Sequence, residues 1–350
     1  MAGPAGGLDA RQRVAPIAMR AVSIGTVAKS VAVRAAVSAG RWLHRKKATL
    51  LNYHRFYPQH AAQFLWQCEN LRRRYNVISL GELTRRLREG AAPPLNSIVL
   101  TIDDGHRDFY TCAFPILREY GFAATMYLPT AFLDRAEGRK WLWFDRFNYA
   151  FLHSPLSQAE VPPLSAGDAP ISLCLDSVAA RTAASSRVAT AAQWLSSSDR
   201  DAYCDRVAGA LDVRIPEAPP EEFAPLTWDE VRLMAKSGVE FGGHTVTHPI
   251  LETIHSPDEL AFEIAHCKAR VEEELQAPAA HFAYPSGRAN EISAAAKAAV
   301  RQAGFQTAVT TLSGQVGPGA DPLWLQRIGV NPDAEPLWFQ RCAAAMVKVA

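Results

Sequence analysis

From residue 48 to residue 330, short β-prone apolar runs alternate with segments of helical periodicity. This alternation is typical of parallel βαβ units. The predicted strands cover 48–53, 76–79, 97–102, 123–128, 239–243, 281–284, 307–311 and 328–330, and the predicted helices cover 59–75, 80–88, 107–120, 227–238, 256–276 and 291–302. Between about 130 and 225 the regularity lapses. We expect an α/β domain over 48–345 with a helical and irregular insertion there, lacking a core of its own.

Polar residues follow directly after several of the predicted strands. They are His54, Asp103, Asp104, His244 and the segment 284–286. In an α/β barrel the carboxyl ends of the strands meet at one face, where active sites assemble. We therefore expect these residues to share one pocket.

Asp103, Asp104 and Gly105 place two carboxylates side by side at a predicted strand end. Adjacent buried carboxylates repel each other, so they call for a cation or a shared proton. Taken alone, the tripeptide is also typical of an ordinary Asp-Gly turn.

His244 and His248 are spaced by four residues, which on a helical turn would place both imidazoles on one face. Together with the aspartate pair they predict a metal site with three protein ligands. Structural zinc sites close all four positions with protein ligands, whereas catalytic sites leave one open. The pattern therefore indicates a catalytic site.

Three segments resemble the motifs of the polysaccharide deacetylase family, the NodB-homology carbohydrate esterases. Thr101–Gly105 is similar to the family's Thr-Phe-Asp-Asp-Gly, with Ile102 in place of Phe; His244–His248 fits His-Ser/Thr-x-x-His; Phe282–Gly287 resembles the third motif. The resemblance covers about residues 48 to 330. It implies a distorted (β/α) barrel with fewer than eight units, and metal-dependent removal of N-acetyl groups from amino sugars.

The resemblance also implies roles for individual residues. Asp103 matches the general base, and Asp104, His244 and His248 match the ligands of one divalent metal ion. The backbone N–H of Ser286 falls where an oxyanion donor is expected. Zinc is the favoured ion for an Asp-His-His set, although manganese, cobalt or nickel could occupy it.

The chain departs from the family pattern at two places. Ala283 stands where many members have an arginine that orients the base, and the last histidine is His281, so the usual C-terminal proton donor is absent. His54 is the candidate for a catalytic acid or a supporting role, against the alternative of a structural hydrogen bond. Asp103, once protonated, could also return the proton itself.

Substrate contacts are predicted from Tyr284 at a predicted strand end and from the aromatic loop 141–145 of the insertion. The candidates are Tyr284, Trp143 and Asp145, with Trp141 beside them and Trp324 and Arg327 as weaker candidates for the same mouth. Sugars pack on aromatic faces, but a loop held together by its own aromatic rings would have the same composition.

Charge and cysteine usage limit the partners and the location. The 37 basic and 35 acidic residues create no global field for nucleic acid. Residues 11–47 hold nine Lys or Arg and no acid, so we expect a basic, flexible arm over 1–47, whose segment 11–47 could contact an anionic membrane. No signal peptide or membrane span is recognisable, and six scattered cysteines indicate a reducing compartment, hence the cytoplasm. No obligate protein partner is predicted.

Alternative functions remain open at this stage. The leading one is N-deacetylation of a glycan or glycoconjugate, and the same site could hydrolyse an O-acetyl ester or a cyclic amide. A sugar-binding relative that has lost turnover is a third reading, motivated by the two departures. Asp103 argues against it, because a binding protein has no need of a second carboxylate beside the ligand.

Overall fold

The computed structural model describes residues 35–135, 141–165 and 167–347. Most of the predicted basic arm therefore lies outside the described residues. Its described end forms a helix, α1, over residues 35–44. Val37 of this helix is buried, so the described end of the arm is helical over residues 35–44 and packs against the domain.

The strands are β1 (Thr49–Tyr53), β2 (Asn76–Val77), β3 (Ser97–Ile102), β4 (Ala124–Leu128), β5 (Gln158–Val161), β6 (Ile171–Cys174), β7 (Val239–Gly243), β8 (His281–Ala283), β9 (Thr307–Val309) and β10 (Ile328–Gly329). The further helices are α2 (Ala61–Arg74), α3 (Leu80–Arg88), α4 (Phe114–Tyr120), α5 (Thr130–Asp134), α6 (Trp143–His153), α7 (Val178–Ala192), α8 (Ser197–Ala210), α9 (Trp228–Lys236), α10 (Pro257–Ala261), α11 (Cys267–Leu275), α12 (Ala294–Gln302) and α13 (Pro336–Ala343). Two π-helical segments, Phe109–Ala113 and Phe262–His266, lead into α4 and α11. Within the described part of the chain, no helix combines the length and the apolar character needed to cross a bilayer.

One parallel sheet carries the domain. Its strands follow the order β10-β1-β3-β4-β7-β8-β9, with β2 paired to β3, and helices surround it as a half-barrel. The prediction of a distorted (β/α) barrel with fewer than eight units is confirmed. The order also makes β1, β3, β7 and β8, which carry the predicted site residues at their ends, part of one continuous wall.

The sheet is buried on both faces, as is typical of parallel sheets. In β1, Leu51 packs with the apolar cluster between sheet and outer helices. Its neighbour Leu50 packs inside the half-barrel with Val99 and Tyr127. Because side chains alternate along a strand, Asn52 and His54 lie on the same side as Leu50 and face the interior at its open end.

The insertion differs from the sequence-based expectation. It contains α6, α7 and α8 and an antiparallel pair, β5 with β6. Side chains from these elements, among them Phe147, Val188 and Val207, form a hydrophobic cluster of their own. The expectation that the insertion lacks a core was wrong, because its three helices and two strands bury their apolar faces against one another.

Candidate metal centre and active site

A sharp turn follows β3 and separates the roles of its two aspartates. Asp103 continues the inward-facing positions of the strand, while Asp104 and Gly105 have φ angles of 74° and 67°. This left-handed region is costly for a residue with a Cβ, although aspartate tolerates it better than most. A Cβ on Gly105 would lie 3.1 Å from side-chain atoms of Leu128 and Leu133, so the turn depends on glycine.

Asp103 is hydrogen-bonded by two side chains, and a third side chain lies close to it. The Arg327 guanidinium donates from Nη1 to Oδ1 and from Nη2 to Oδ2, both at 2.8 Å. Asn52 Nδ2 donates to Oδ2 at 3.2 Å, and His54 Nε2 lies 3.7 Å from the same oxygen. Burial by itself would raise the pKa of Asp103, but the charge and hydrogen bonds of Arg327, together with the nearby His244 and His54, outweigh it and the pKa lies below its usual value. The carboxylate is therefore ionised and fixed in orientation.

Arg327 is predicted from the sequence only as a weaker substrate contact at the mouth, and its contact with Asp103 was not predicted. It is completely buried and also donates to the Thr310 carbonyl and Asn52 Oδ1. It therefore orients the aspartate in the way expected of the family arginine that Ala283 replaces. The only sequence signal was an arginine just before a buried strand, which did not indicate its partner.

Asp104, His244 and His248 form a compact group of buried donors. One donor atom from each lies within 4.8 Å of the others, and Asp104 Oδ1 is 3.6 Å from His244 Nε2 and 3.4 Å from His248 Nε2. Two donors that are each ~2.1 Å from a tetrahedral ion stand ~3.4 Å apart. The spacing therefore fits a small cation better than direct hydrogen bonds between the three side chains.

The electrostatic surroundings of these three side chains also suit a cation. Burial raises the pKa of Asp104, but the neighbouring His244, His248 and His54 imidazoles together more than offset it, and the pKa lies well below its usual value. Burial lowers the pKa of His248, which keeps its ring neutral. Burial acts on His244 in the same direction, yet the two aspartates outweigh it and its pKa is raised. His244 Nδ1 is 2.7 Å from the Ala283 carbonyl, which leaves Nε2 as the ligand atom.

The two histidines meet through a loop, not through the helical turn that the sequence analysis assumed. His244 follows β7 directly, and the next four residues are irregular. Thr245 and His248 have φ angles of 67° and 59°. Thr245 Oγ1 donates to the His244 carbonyl and accepts from the His248 N–H at 2.9 Å. The ring centroids consequently lie 4.6 Å apart.

His54 and Ser286 lie at the ends of their strands as predicted. The side chain of His54 is 48% exposed, so its imidazole is open to the solvent side of Asp103. Ser286 has a φ of 57°, and its carbonyl accepts from Thr311 Oγ1 at 2.7 Å. The roles of His54 as acid and of the Ser286 amide as oxyanion donor stay predictions.

The three predicted substrate contacts are used inside the protein. Tyr284 is fully buried, and its hydroxyl donates to the Leu323 carbonyl. Trp143 Nε1 donates to the His248 carbonyl at 2.9 Å. Asp145 is buried and lies 2.7 Å from His106 Nε2. Tyr284 and Asp145 thus have partners inside the protein, and Trp143 supports the loop that carries His244 and His248. The role of these three side chains as substrate contacts stays a prediction.

Phe144 is an aromatic residue beside the Asp104–His244–His248 group that no sequence motif indicated. Its ring lies edge-on to the His248 ring, with centroids 5.2 Å apart, and it is partly exposed. A separate cavity of about 540 Å³ is lined by Trp143, Val246 and Arg200, among other residues. Asp103 does not line this cavity, and neither does the group of Asp104, His244 and His248. The candidate site is therefore identified from the positions of these side chains and not from the cavity.

Comparison with known proteins finds similarity to polysaccharide deacetylases. The family model described as polysaccharide deacetylase matches residues 185–308, a range that includes both histidines but not the aspartate pair. Over 62 residues the chain is 39% identical to the poly-β-1,6-N-acetyl-D-glucosamine N-deacetylase of Escherichia coli K12. That match covers 18% of this chain and 9% of the relative.

Solved structures extend the likeness to the whole fold. The Streptococcus pyogenes deacetylase PplD in complex with acetate superposes with a TM-score of 0.54 at 21% identity, covering 83% of this chain and 96% of that one. IcaB from Ammonifex degensii gives 0.53 at 18% identity, with coverages of 86% and 98%. The resemblance to the polysaccharide deacetylase family, drawn above from three motifs, is confirmed by the family match and by the fold.

Proposed function

We propose that this protein is a metal-dependent deacetylase that removes N-acetyl groups from an amino-sugar-containing glycan or glycoconjugate. The observation that supports it best is the pairing of a buried Asp104–His244–His248 donor group with an adjacent, arginine-held carboxylate, Asp103. The group of Asp104, His244 and His248 suits a cation, and the Asp103 carboxylate suits proton transfer. The similar proteins are named as deacetylases, which supports the same proposal.

The donor set favours zinc. Two imidazoles and one carboxylate are common zinc ligands, and three protein ligands leave a position open, as in catalytic sites. A zinc ion bound there would polarise the acetyl carbonyl and lower the pKa of water at the open position.

The chain's own residues would move the protons. Asp103, ionised and oriented by Arg327, accepts a proton from the water that adds to the acetyl carbon. The Ser286 N–H donates to the carbonyl oxygen as negative charge develops there. The C–N bond then breaks, His54 gives a proton to the departing amine, and acetate leaves. Asp103 is the alternative proton donor for that last step.

N-acetylated polysaccharide is the substrate class that we propose, and β-1,6-linked N-acetylglucosamine is the first candidate because the curated relative carries that name. The O-acetyl ester and cyclic-amide alternatives use the same site. We favour the non-catalytic alternative less, because Arg327 orients Asp103 and so replaces the arginine that is absent at position 283.

Acetate release and metal content test the proposal together. We expect the unaltered chain to release acetate from β-1,6-N-acetylglucosamine oligomers faster than from O-acetylated sugars. Asp103→Asn should retain metal and lose activity, whereas His248→Ala should lose both. His266→Ala, at an exposed histidine that ends the π-helical segment Phe262–His266, is the matched control. Undiminished acetate release by Asp103→Asn would exclude it as the base.

We also propose a peripheral contact with an anionic membrane surface through the end of the basic arm. Trp42 and Leu43 of α1 are 65% and 70% exposed, and Arg41, Arg45 and residues 46–47 surround them with positive charge. The helix is held to the domain because Gly40 packs against Met346. Exposed aromatic and aliphatic side chains among basic residues are typical of interfacial helices, and each Lys or Arg contributes ~1 kcal/mol at an anionic surface.

Vesicle sedimentation tests this contact. The full chain should sediment with phosphatidylglycerol-containing vesicles, and much less with phosphatidylcholine alone or at high salt. Replacing both Trp42 and Leu43 by serine should reduce binding, while Trp194→Ser, an insertion tryptophan that is 43% exposed, should not. Equal binding by both variants would exclude α1 as the contact. The cytoplasmic location expected from the cysteines remains a prediction.

A further inference from the structure

The loop that carries the two histidine ligands is tied down by one carboxylate that is not itself in the donor group. Glu263 Oε2 accepts from the Val246 N–H at 2.8 Å and from the Thr247 N–H at 2.9 Å. Its Oε1 accepts from Thr247 Oγ1 at 2.6 Å. We infer that Glu263 is a positioning residue that holds the loop in its metal-binding shape before the ion arrives; this rests on the proposed metal site.

The loop needs a hydrogen-bond acceptor such as Glu263 because its backbone adopts left-handed φ angles. Thr245 and His248 both occupy the left-handed region, which costs about 1 kcal/mol or more for residues with a Cβ. Consecutive N–H groups at such a turn point the same way and form an anion-binding nest. A carboxylate seated in that nest satisfies both amides and stabilises the turn.

The other side of the loop is fixed by the segment after β4. The Thr130 N–H donates to the Thr245 carbonyl at 3.2 Å and the Ala131 N–H donates to the Val246 carbonyl at 3.0 Å. The peptide groups between the two histidines are thus bound from both faces. Glu263 provides the only anionic contact among the hydrogen bonds that the structure describes for this loop.

Glu263 reaches the loop from a π-helical segment, Phe262–His266. Its two ends, Phe262 and His266, are exposed, whereas Glu263 is 4% exposed. A π-turn shifts the phase of a helix locally and is frequent at functional sites. At this π-turn the Glu263 carboxylate points inward, whereas the other polar residues of the helix face solvent.

The expected consequence is a loss of preorganisation. If the carboxylate is replaced by a neutral amide, the Val246 and Thr247 N–H groups lose the negative charge that they bind, and the loop can relax away from the left-handed turn. His244 would stay on its strand, but His248 would no longer be held beside it. Supporting residues of this kind change metal affinity by ~10–100-fold when removed.

Glu263→Gln is the variant that tests the inference, because glutamine keeps the volume and one acceptor oxygen. The Zn²⁺ dissociation constant is measured by competition with a chromophoric chelator, and the Co²⁺ ligand-field spectrum reports the geometry. We expect ~10–100-fold weaker Zn²⁺ binding and a weaker tetrahedral Co²⁺ band. Glu259→Gln, an exposed carboxylate one turn earlier, should bind both ions as the unaltered chain does.

Thermal unfolding of the metal-free protein separates positioning from packing. Lower stability with unchanged Zn²⁺ affinity would overturn the inference, and so would unchanged values of both. If Glu263→Gln does not fold, Thr247→Val removes only the hydroxyl contact and should weaken Zn²⁺ binding about fivefold. Failure of the unaltered chain to bind Zn²⁺ or Co²⁺ would instead exclude the proposed metal site.

Discussion

Replacing Arg327 by methionine should lower the free energy of unfolding, because the Asp103 carboxylate then stays buried without its counter-charge. The guanidinium is completely buried and makes both of its carboxylate contacts at 2.8 Å. Methionine fills a comparable volume but leaves the carboxylate in a low-dielectric site without its counter-charge. Removing one partner of a buried ion pair costs about 3–5 kcal/mol. We expect the free energy of unfolding to fall by about that amount.

A double-mutant cycle identifies the cause of that loss. Denaturant unfolding of the metal-free protein is measured for Arg327→Met, Asp103→Asn and the double variant. The neutral amide no longer needs a counter-charge, so the double variant should be more stable than the sum of the single effects implies. Acetate release by Arg327→Met should fall at least ~100-fold, because the base loses its orientation.

Two results would refute this reasoning. A loss of less than about 1 kcal/mol in Arg327→Met would mean that solvent or other groups compensate the carboxylate. Strictly additive losses in the cycle would mean that the arginine acts through its contacts to the Thr310 carbonyl and Asn52, not through Asp103.

The remaining predictions concern the proton donor, the turn and the metal. His54→Gln should lower kcat by ~100-fold or more with metal content unchanged, while His153→Gln, a partly exposed histidine of the insertion, should not; equal kcat values would reassign the acid. Gly105→Ala should destabilise more than Gly121→Ala in denaturant unfolding, because both glycines have positive φ but only Gly105 has side chains within 4 Å of the added Cβ; equal losses would show that the turn tolerates a Cβ. Chelator treatment should abolish acetate release and added Zn²⁺ should restore it, and activity that survives complete metal removal would contradict the metal's role.

The order of strands and helices could be predicted because it depends on local pattern. The run from Ser97 to Ile102 is β-prone and apolar, and the structure buries all of it as β3. Thr227 to Glu230 predicts a helix start, and the structure shows the reciprocal capping box there. Signals of this kind lie within a few residues of each other. For the same reason the three ligand candidates could be proposed from two short motifs.

The sequence by itself therefore determined the barrel class, the strand-end positions of the site residues and the Asp104, His244 and His248 group. Only the tertiary structure decided that Arg327 orients Asp103, because that contact joins residues 224 positions apart and arises when β10 lies beside β1. It likewise decided that Tyr284 is buried rather than exposed to substrate. Periodicity reports which face of an element is apolar, whereas the partner of a buried polar group depends on which strands become neighbours.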